Sequence, residues 1–128
     1  MNRRTEAIRV DDGRPIFVQI AEMIENSIVD GSLAEEAQVP STNELAAFHR
    51  INPATAAKGV NQLVDEGTIY KRRGIGMFVT TGARAKLIAR RRDQFAQQYL
   101  RPLLAEANKL GLSITDIKTL IDQWEAKS

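Results

Sequence analysis

Residues 53–67 read PATAAKGVNQLVDEG and have the pattern of a single amphipathic helix. Asn52 is a typical N-cap residue, and Pro53 suits the first turn because its missing N–H costs nothing there. Gly67 suits the left-handed backbone position that follows a helix. The stretch therefore predicts a helix that begins at Pro53 and ends just before Gly67.

The two faces of this predicted helix differ in chemistry. One face is apolar, with side chains at helical spacing: Ala56, Val60 and Leu63. The opposite face carries short or hydrogen-bonding side chains: Ala54, Thr55, Lys58, Asn61 and Gln62. Such a face can lie against phosphates and base edges at a small desolvation cost. A plain amphipathic surface helix has the same pattern, so the flanking segments decide between the two.

A shorter helix is predicted immediately upstream. Ser41 and Glu44 have the spacing of a capping box, which starts a helix over residues 42–49 with Leu45 and Phe48 facing inward. A turn of only three residues, 50–52, then leads to the next helix, which gives a helix-turn-helix. In DNA-binding proteins the second helix of this motif enters the major groove. An αα-hairpin inside a helical bundle has similar spacing.

A β-hairpin is predicted after the two helices. Residues 68–72 and 77–81 are rich in β-branched and aromatic side chains, and a glycine-bearing turn separates them. A hairpin that follows a helix-turn-helix is the wing of a winged-helix domain. Basic side chains at or near the tip are placed to reach phosphates or the minor groove: Lys71, Arg72 and Arg73.

Three further helices are predicted, over residues 15–30, 84–109 and 114–126, and Pro102 is expected to kink or divide the second of them. The last two carry more apolar surface than a short hairpin can bury on itself, so we expect a homodimer. Packing on the helix over residues 15–30 is the alternative. The predicted dimer interface comprises Ile88, Phe95, Tyr99, Leu103, Ile117, Leu120, Ile121 and Trp124.

Charge is unevenly distributed along the 128 residues, whose net charge is +2. Residues 1–67 hold six basic and eleven acidic residues, whereas residues 68–101 hold nine basic residues and one acidic residue. A basic block in a mildly acidic chain indicates local contact with a polyanion. A solvated charged face is the alternative interpretation.

Several functional classes are disfavoured by composition. The chain has no cysteine, no stretch of about 20 apolar residues and no apolar run at its N-terminus. We therefore expect a cytoplasmic protein with no membrane partner. His49 is the only histidine, and nothing near the paired carboxylates at residues 35–36 and 65–66 resembles a nucleophile–base arrangement. We predict no enzyme activity, no catalytic residues, no metal site and no cofactor.

Three segments together resemble the GntR family of bacterial transcription regulators: PIFVQIAEMIENSIVDGSL, VPSTNELA and INPATAAKGVNQLVDEGTIYKRRGIGMFV. The INPAT segment and the short tail resemble the YtrA subfamily, whose members carry two C-terminal dimerisation helices instead of a large effector-binding domain. The predicted fold is mostly α with a small β-hairpin. An N-terminal arm (1–14) precedes a winged helix-turn-helix domain (15–82) and a helical dimerisation tail (83–128).

Contacts to DNA at Ser41, Thr55, Lys58, Arg73 and Gly74 carry over from the resemblance. Three positions depart from the family pattern. Asn43 stands where an arginine usually contacts DNA, Glu36 where a glycine is usual, and Gly59 where an alanine is usual; Gly59 weakens an isolated helix by up to ~1 kcal/mol. The complete predicted DNA-binding set is Ser41, Thr42, Asn43, Arg50, Asn52, Ala54, Thr55, Lys58, Lys71, Arg72, Arg73, Gly74 and Gly76.

The predicted function is that of a homodimeric transcription regulator, a repressor by analogy with the subfamily. It would bind a palindromic double-stranded operator through a recognition helix (53–66) in the major groove and a basic wing (71–76). The alternative is a winged-helix protein-interaction module that does not bind DNA specifically, which the weak net charge and Asn43 favour. The sequence identifies no small-molecule effector, operator sequence or target gene.

Overall fold

The computed structural model describes residues 13–128, so most of the predicted N-terminal arm lies outside the described residues. The described chain is mostly helical with a small antiparallel sheet, as expected. It forms two compact units, one that ends at Ile88 and one that spans Ala89–Ser128. The first unit contains α1 (Ile16–Val29), β1 (Gln38–Val39), α2 (Thr42–His49), α3 (Pro53–Asp65), β2 (Ile69–Arg72), β3 (Gly76–Val79) and the start of α4 (Ala83–Phe95). The second contains the rest of α4, a π-helical turn (Ala96–Leu100), α5 (Arg101–Lys109) and α6 (Ile114–Lys127).

One hydrophobic core lies within the first unit. The apolar face of α3 is buried as predicted, since Ala56, Val60 and Leu63 are completely inaccessible to solvent. The first turns of α4 add Ala83 and Leu87 to this core. The other core residues come from α1, α2 and the three strands: Ile20, Ala21, Ile24, Ile28, Val39, Leu45, Ala46, Ile69 and Val79.

Predicted caps define the ends of the helix-turn-helix. The Ser41 hydroxyl accepts a hydrogen bond from the Glu44 N–H at 3.1 Å, and the Glu44 carboxylate accepts one from the Ser41 N–H at 2.9 Å. The Asn52 side-chain oxygen accepts from the Ala54 N–H at 2.7 Å. Gly67 has a φ of +78°, the left-handed conformation expected after α3.

The wing, defined here as β2, β3 and the turn between them, belongs to a three-stranded sheet with strand order β1-β3-β2. Antiparallel pairing places Ile69 opposite Val79 and Arg72 opposite Gly76. On the other edge of β3, Gln38 lies opposite Phe78. The segment between α1 and α2 is therefore attached to β3 of the wing through Gln38 and Val39.

The prediction that Phe48 faces inward is wrong. Phe48 is 69% exposed, whereas Leu45 and Ala46 supply the buried side of α2. In a helix of eight residues this adjacent pair sets the direction of the core. At about 100° per residue, Phe48 lies about 60° from Leu45 but about 160° from Ala46, so it falls outside the side that the pair buries. Phe48 instead borders an open apolar groove between α1 and α2.

Gly59 lies where α3 packs closely against α1. A Cβ atom at this position would lie 2.6 Å from the Phe17 carbonyl oxygen and 2.9 Å from the Ile20 side chain. The cost in helix propensity at Gly59 is thus accompanied by a packing requirement. Only a hydrogen at this position lets α1 and α3 approach so closely.

The predicted interruption near Pro102 is confirmed in the second unit. The Arg101 N–H donates to the Ala96 carbonyl oxygen, five residues back, so the helix widens into a π-helical turn just before the proline. The helix therefore departs from α-helical hydrogen bonding at the residue next to Pro102, which has no N–H to donate. A second capping box, between Ser113 and Asp116, starts α6.

Candidate nucleic-acid interface

The polar face of α3 is open to solvent. Ala54, Lys58 and Asn61 are exposed at positions i, i+4 and i+7, and Thr55 and Gln62 are half-buried along one side of this stripe. The stripe lies opposite the buried face of the helix. The predicted recognition surface is therefore accessible and almost free of negative charge over its first two turns.

Lys58 makes a contact that the sequence did not indicate. Its ammonium nitrogen lies 4.2 Å from the centre of the Phe17 ring, a cation–π arrangement between α3 and α1. Phe17 is half-buried, and its helical spacing suggests only a core residue. Because Lys58 is exposed, a phosphate can compete with the ring for its ammonium group.

The two capping residues differ in the donors that they keep for a second partner. The Ser41 oxygen and the Asn52 amide oxygen each accept one backbone hydrogen bond. The Ser41 hydroxyl also bonds to the Glu44 carboxylate, whereas the amide group of Asn52 remains as a donor of the kind that phosphate oxygens bind. Nearby on the surface, Asn43 is exposed, and Arg50 is exposed in the left-handed region with a φ of +55°. Thr42 is half-buried.

The wing presents its cations to solvent. Lys71, Arg72 and Arg73 are exposed, and the Arg72 guanidinium lies 5.5 Å from the centre of the Phe78 ring. The turn depends on two glycines with positive φ, Gly74 at +77° and Gly76 at +143°. Every predicted DNA-binding residue therefore lies on the surface of the first unit or at its edge, and none is fully buried.

Glu36 stands out at the base of the wing. Its carboxylate accepts hydrogen bonds from the Tyr70 and Thr81 hydroxyls. These bonds lower the pKa of Glu36 below its ordinary value, and the bond from Thr81 has the largest effect. The same carboxylate raises the pKa of Tyr70. Glu36 is therefore ionised at neutral pH. The sequence flagged this position only as a departure from the glycine of the family pattern.

The second unit exposes most of its apolar side chains. Trp124 is 77% exposed, and Leu103, Leu120, Ile121 and Trp124 line an open groove of about 460 Å³ together with Ile117. Ile117 itself is only 8% exposed and packs inside the unit. Three residues of the predicted dimer interface lie outside this groove. Phe95 and Tyr99 are exposed, and Ile88 is half-buried.

Other site types find little support within residues 13–128. His49 is half-buried, which lowers its pKa, and its ring makes a T-shaped contact with the Phe48 ring, with 4.9 Å between the ring centres. No group of three or more histidine, aspartate and glutamate side chains in the described range has an arrangement that could hold a metal ion. No helix there is long and apolar enough to span a membrane.

Known proteins similar to this chain are transcription regulators. Residues 12–79 match the family described as bacterial regulatory proteins, gntR family. The HTH-type transcriptional repressor YtrA of Bacillus subtilis is 27% identical over 112 residues, which cover 88% of this chain and 85% of that protein. A GntR family transcriptional regulator from Listeria monocytogenes has a similar structure, with a TM-score of 0.71, 28% identity and coverage of 88% of this chain and 97% of that one.

A second solved structure contains DNA. AraR(DBD) in complex with operator ORX1 is similar with a TM-score of 0.52 and 27% identity, over 59% of this chain and 90% of that one. The likeness is thus to a domain that was crystallised on its operator.

Proposed function

Since this chain belongs to the GntR family of bacterial regulatory proteins, we propose that it is a homodimeric repressor that binds a palindromic operator in the cytoplasm. Membership of this family makes it a helix-turn-helix transcription regulator that binds DNA, and not an enzyme. The dimer, the palindrome and the repression are what we add to that description.

The polar face of α3 is the observation that carries this proposal. Lys58 and Asn61 are exposed on the polar side of α3. In the major groove, Lys58 donates to guanine acceptors or phosphates, Asn61 pairs with adenine edges, and Ala54 and the Thr55 methyl group fit beside thymine methyl groups. The helix begins with an uncharged turn, and its exposed acidic residue, Asp65, lies near the other end, away from the groove.

Phosphate contacts fix the position of α3 in the groove. Ser41 and Asn52 lie at the starts of α2 and α3, where the helix dipoles favour an anion, and the Asn52 amide group is a donor at the start of α3. The wing cations contact the adjacent backbone or enter the minor groove. These contacts do not depend on base sequence, and they make binding strongly dependent on salt concentration.

Pairing of the second units provides the twofold symmetry. Full burial of a large apolar side chain stabilises an interface by roughly 1.5–3 kcal/mol. The exposed side chains available for such burial include Phe95, Tyr99, Leu120 and Trp124. An isologous interface buries each of them twice. A twofold dimer places its recognition helices about one helical turn apart, ~34 Å, which matches a palindromic site. A bound dimer over a promoter represses transcription by excluding the polymerase.

Selection of binding sites from random duplexes by the full-length chain tests this function. We expect an enriched palindrome with half-sites one helical turn apart, and an affinity whose log–log dependence on salt has a slope of about −0.9 per phosphate neutralised. No enrichment at low salt, or an enriched site without symmetry, contradicts the proposal.

Matched charge variants separate specific contacts from general attraction. Lys58→Ala and Arg73→Ala each remove one positive charge from the proposed interface, and we expect a loss of about tenfold or more in operator affinity from each. Lys109→Ala and Arg101→Ala remove the same charges from exposed positions in the second unit, and they should change affinity by less than about threefold. If Lys58→Ala and Arg73→Ala leave the physiological partner bound, a protein-interaction module replaces the DNA-binding function.

A further inference from the structure

The segment between α1 and α2 contacts both ends of the wing. At the base, the Glu36 carboxylate receives one hydrogen bond from Tyr70 on β2 and one from Thr81, just beyond β3. These two donors come from opposite sides of the hairpin. One side chain from outside the hairpin therefore ties its two arms together.

At the tip of the wing, Gln38 provides the second attachment. Its amide nitrogen donates to the Ile75 carbonyl oxygen at 3.1 Å, inside the turn. A Cβ atom on Gly76 would lie 2.5 Å from the same nitrogen, so the absence of a side chain at Gly76 gives Gln38 its place. The Gln38 side chain thus holds the turn that carries Arg73.

The backbone at Glu36 indicates that the attachment is specific. Glu36 has a φ of +65°, and within residues 13–128 only Arg50 shares a positive φ among residues other than glycine. Side chains rarely adopt this region unless their surroundings hold them there. The Glu36 N–H donates to the Val79 carbonyl oxygen at 2.8 Å, and the Val79 N–H donates to the Ala37 carbonyl oxygen at 3.0 Å.

We propose that Glu36 and Gln38, together called the wing brace, set the orientation of the wing and thereby place Arg72 and Arg73 against DNA. The brace rests on the DNA binding proposed above, and its two residues are positioning residues that need not touch DNA. A carboxylate repels phosphates, so Glu36 cannot favour binding through its own charge. If charge alone mattered, its removal would tighten DNA binding; if Glu36 orients the wing, its removal weakens binding.

The decisive variant is Glu36→Gly in the full-length chain, because glycine accepts the positive φ and lacks both hydrogen bonds. On the operator obtained by site selection, we expect affinity to fall about tenfold, the effect of losing one charge-assisted contact. Glu106→Ala, which removes a carboxylate from an exposed position in the second unit, is the charge control and should leave affinity unchanged or slightly raised.

A double-mutant cycle with Arg73→Ala distinguishes positioning from general destabilisation. Without the Arg73 guanidinium, the orientation of the wing contributes less to DNA binding. Glu36→Gly should therefore change the affinity of the Arg73→Ala variant by less than about twofold. An equal loss in both backgrounds, or an affinity that rises with Glu36→Gly, overturns the brace. If Glu36→Gly does not fold, Tyr70→Phe removes one hydroxyl and should give the same pattern with a loss of about threefold.

The two proposals fail in different ways. If the unmodified chain binds its operator and Lys58→Ala weakens that binding while Glu36→Gly and Tyr70→Phe do not, the proposed function stands and the brace is wrong. If the unmodified chain selects no DNA at all, both are wrong.

Discussion

The two units of this chain use the same helix signals but differ in what they bury. Each contains a helix that begins with a complete capping box, Ser41 with Glu44 in the first unit and Ser113 with Asp116 in the second. The first unit encloses a continuous core drawn from all its elements. The second buries Ala107 and Ile117 and leaves most of its large apolar side chains in water. Local signals therefore specify helices in both units, but only the first has a core of its own.

This difference indicates how the two units divide the work. The self-contained core holds α3 and the strands of the wing together without help from a partner. Covering the exposed apolar face of the second unit with another surface would stabilise it. A second copy of the chain offers the same face by symmetry, which is why we assign pairing to the second unit and DNA contact to the first.

The largest effect that distinguishes the units is expected from Ile121→Glu. Ile121 is exposed on the apolar side of α6, and a twofold interface would contain the new charge twice. At roughly 1.5–3 kcal/mol for each buried side chain, the dimer dissociation constant should rise by about 10²–10⁴-fold. Sedimentation equilibrium measures this constant directly.

Thr119→Glu is the matched control for that experiment. Thr119 is exposed on the opposite side of α6 from Ile121. Adding the same charge there should leave the dimer intact. Equal dissociation by both variants would remove the apolar side of α6 from the interface.

A smaller effect on stability is expected from Gly59→Ala in the first unit, and its sign is opposite to the one that helix propensity alone predicts. Helix propensity favours alanine by up to ~1 kcal/mol. The new Cβ would clash with the backbone of α1 at Phe17, however, and overpacking typically costs about 1–3 kcal/mol. We expect the free energy of unfolding in urea to fall by about 1–2 kcal/mol. Asn61→Ala, on the exposed side of α3, should instead raise it by a few tenths of a kcal/mol; stabilisation by both variants would show that α1 and α3 can move apart freely.

The smallest effect concerns the capping box of α2. Two hydrogen bonds lower the pKa of Glu44. The bond from the Ser41 N–H has the larger effect, and the bond from the Ser41 hydroxyl adds to it. Because the folded-state pKa lies below the unfolded one, Glu44 stabilises the fold fully above the unfolded pKa, and this contribution is lost as pH falls through the folded pKa. The stability difference between the unmodified chain and Glu44→Gln should therefore shrink in acid. A difference that is constant between neutral and acidic pH would contradict this.

Sequence patterns predicted those features that depend on neighbours along the chain. The bounds and faces of α3 follow from Asn52, Gly67 and the apolar spacing, all of which are local. The role of Gly59 depends on how closely α1 approaches, and that of Glu36 on hydroxyl groups that lie 34 and 45 residues further along the chain. No local pattern carries such information. Phe48 was misjudged for a related reason, because a short helix offers too few turns to define its buried side.

The predicted recognition face and wing are on the surface, but their contacts with DNA and the pairing of the second units remain predictions, since they involve molecules other than the single chain. Native mass spectrometry of the full-length chain with its selected palindromic duplex tests both together. We predict two chains on each duplex at saturation, and a loss of this species with Ile121→Glu. A saturated complex that contains one chain on each duplex would contradict the division of labour between the two units.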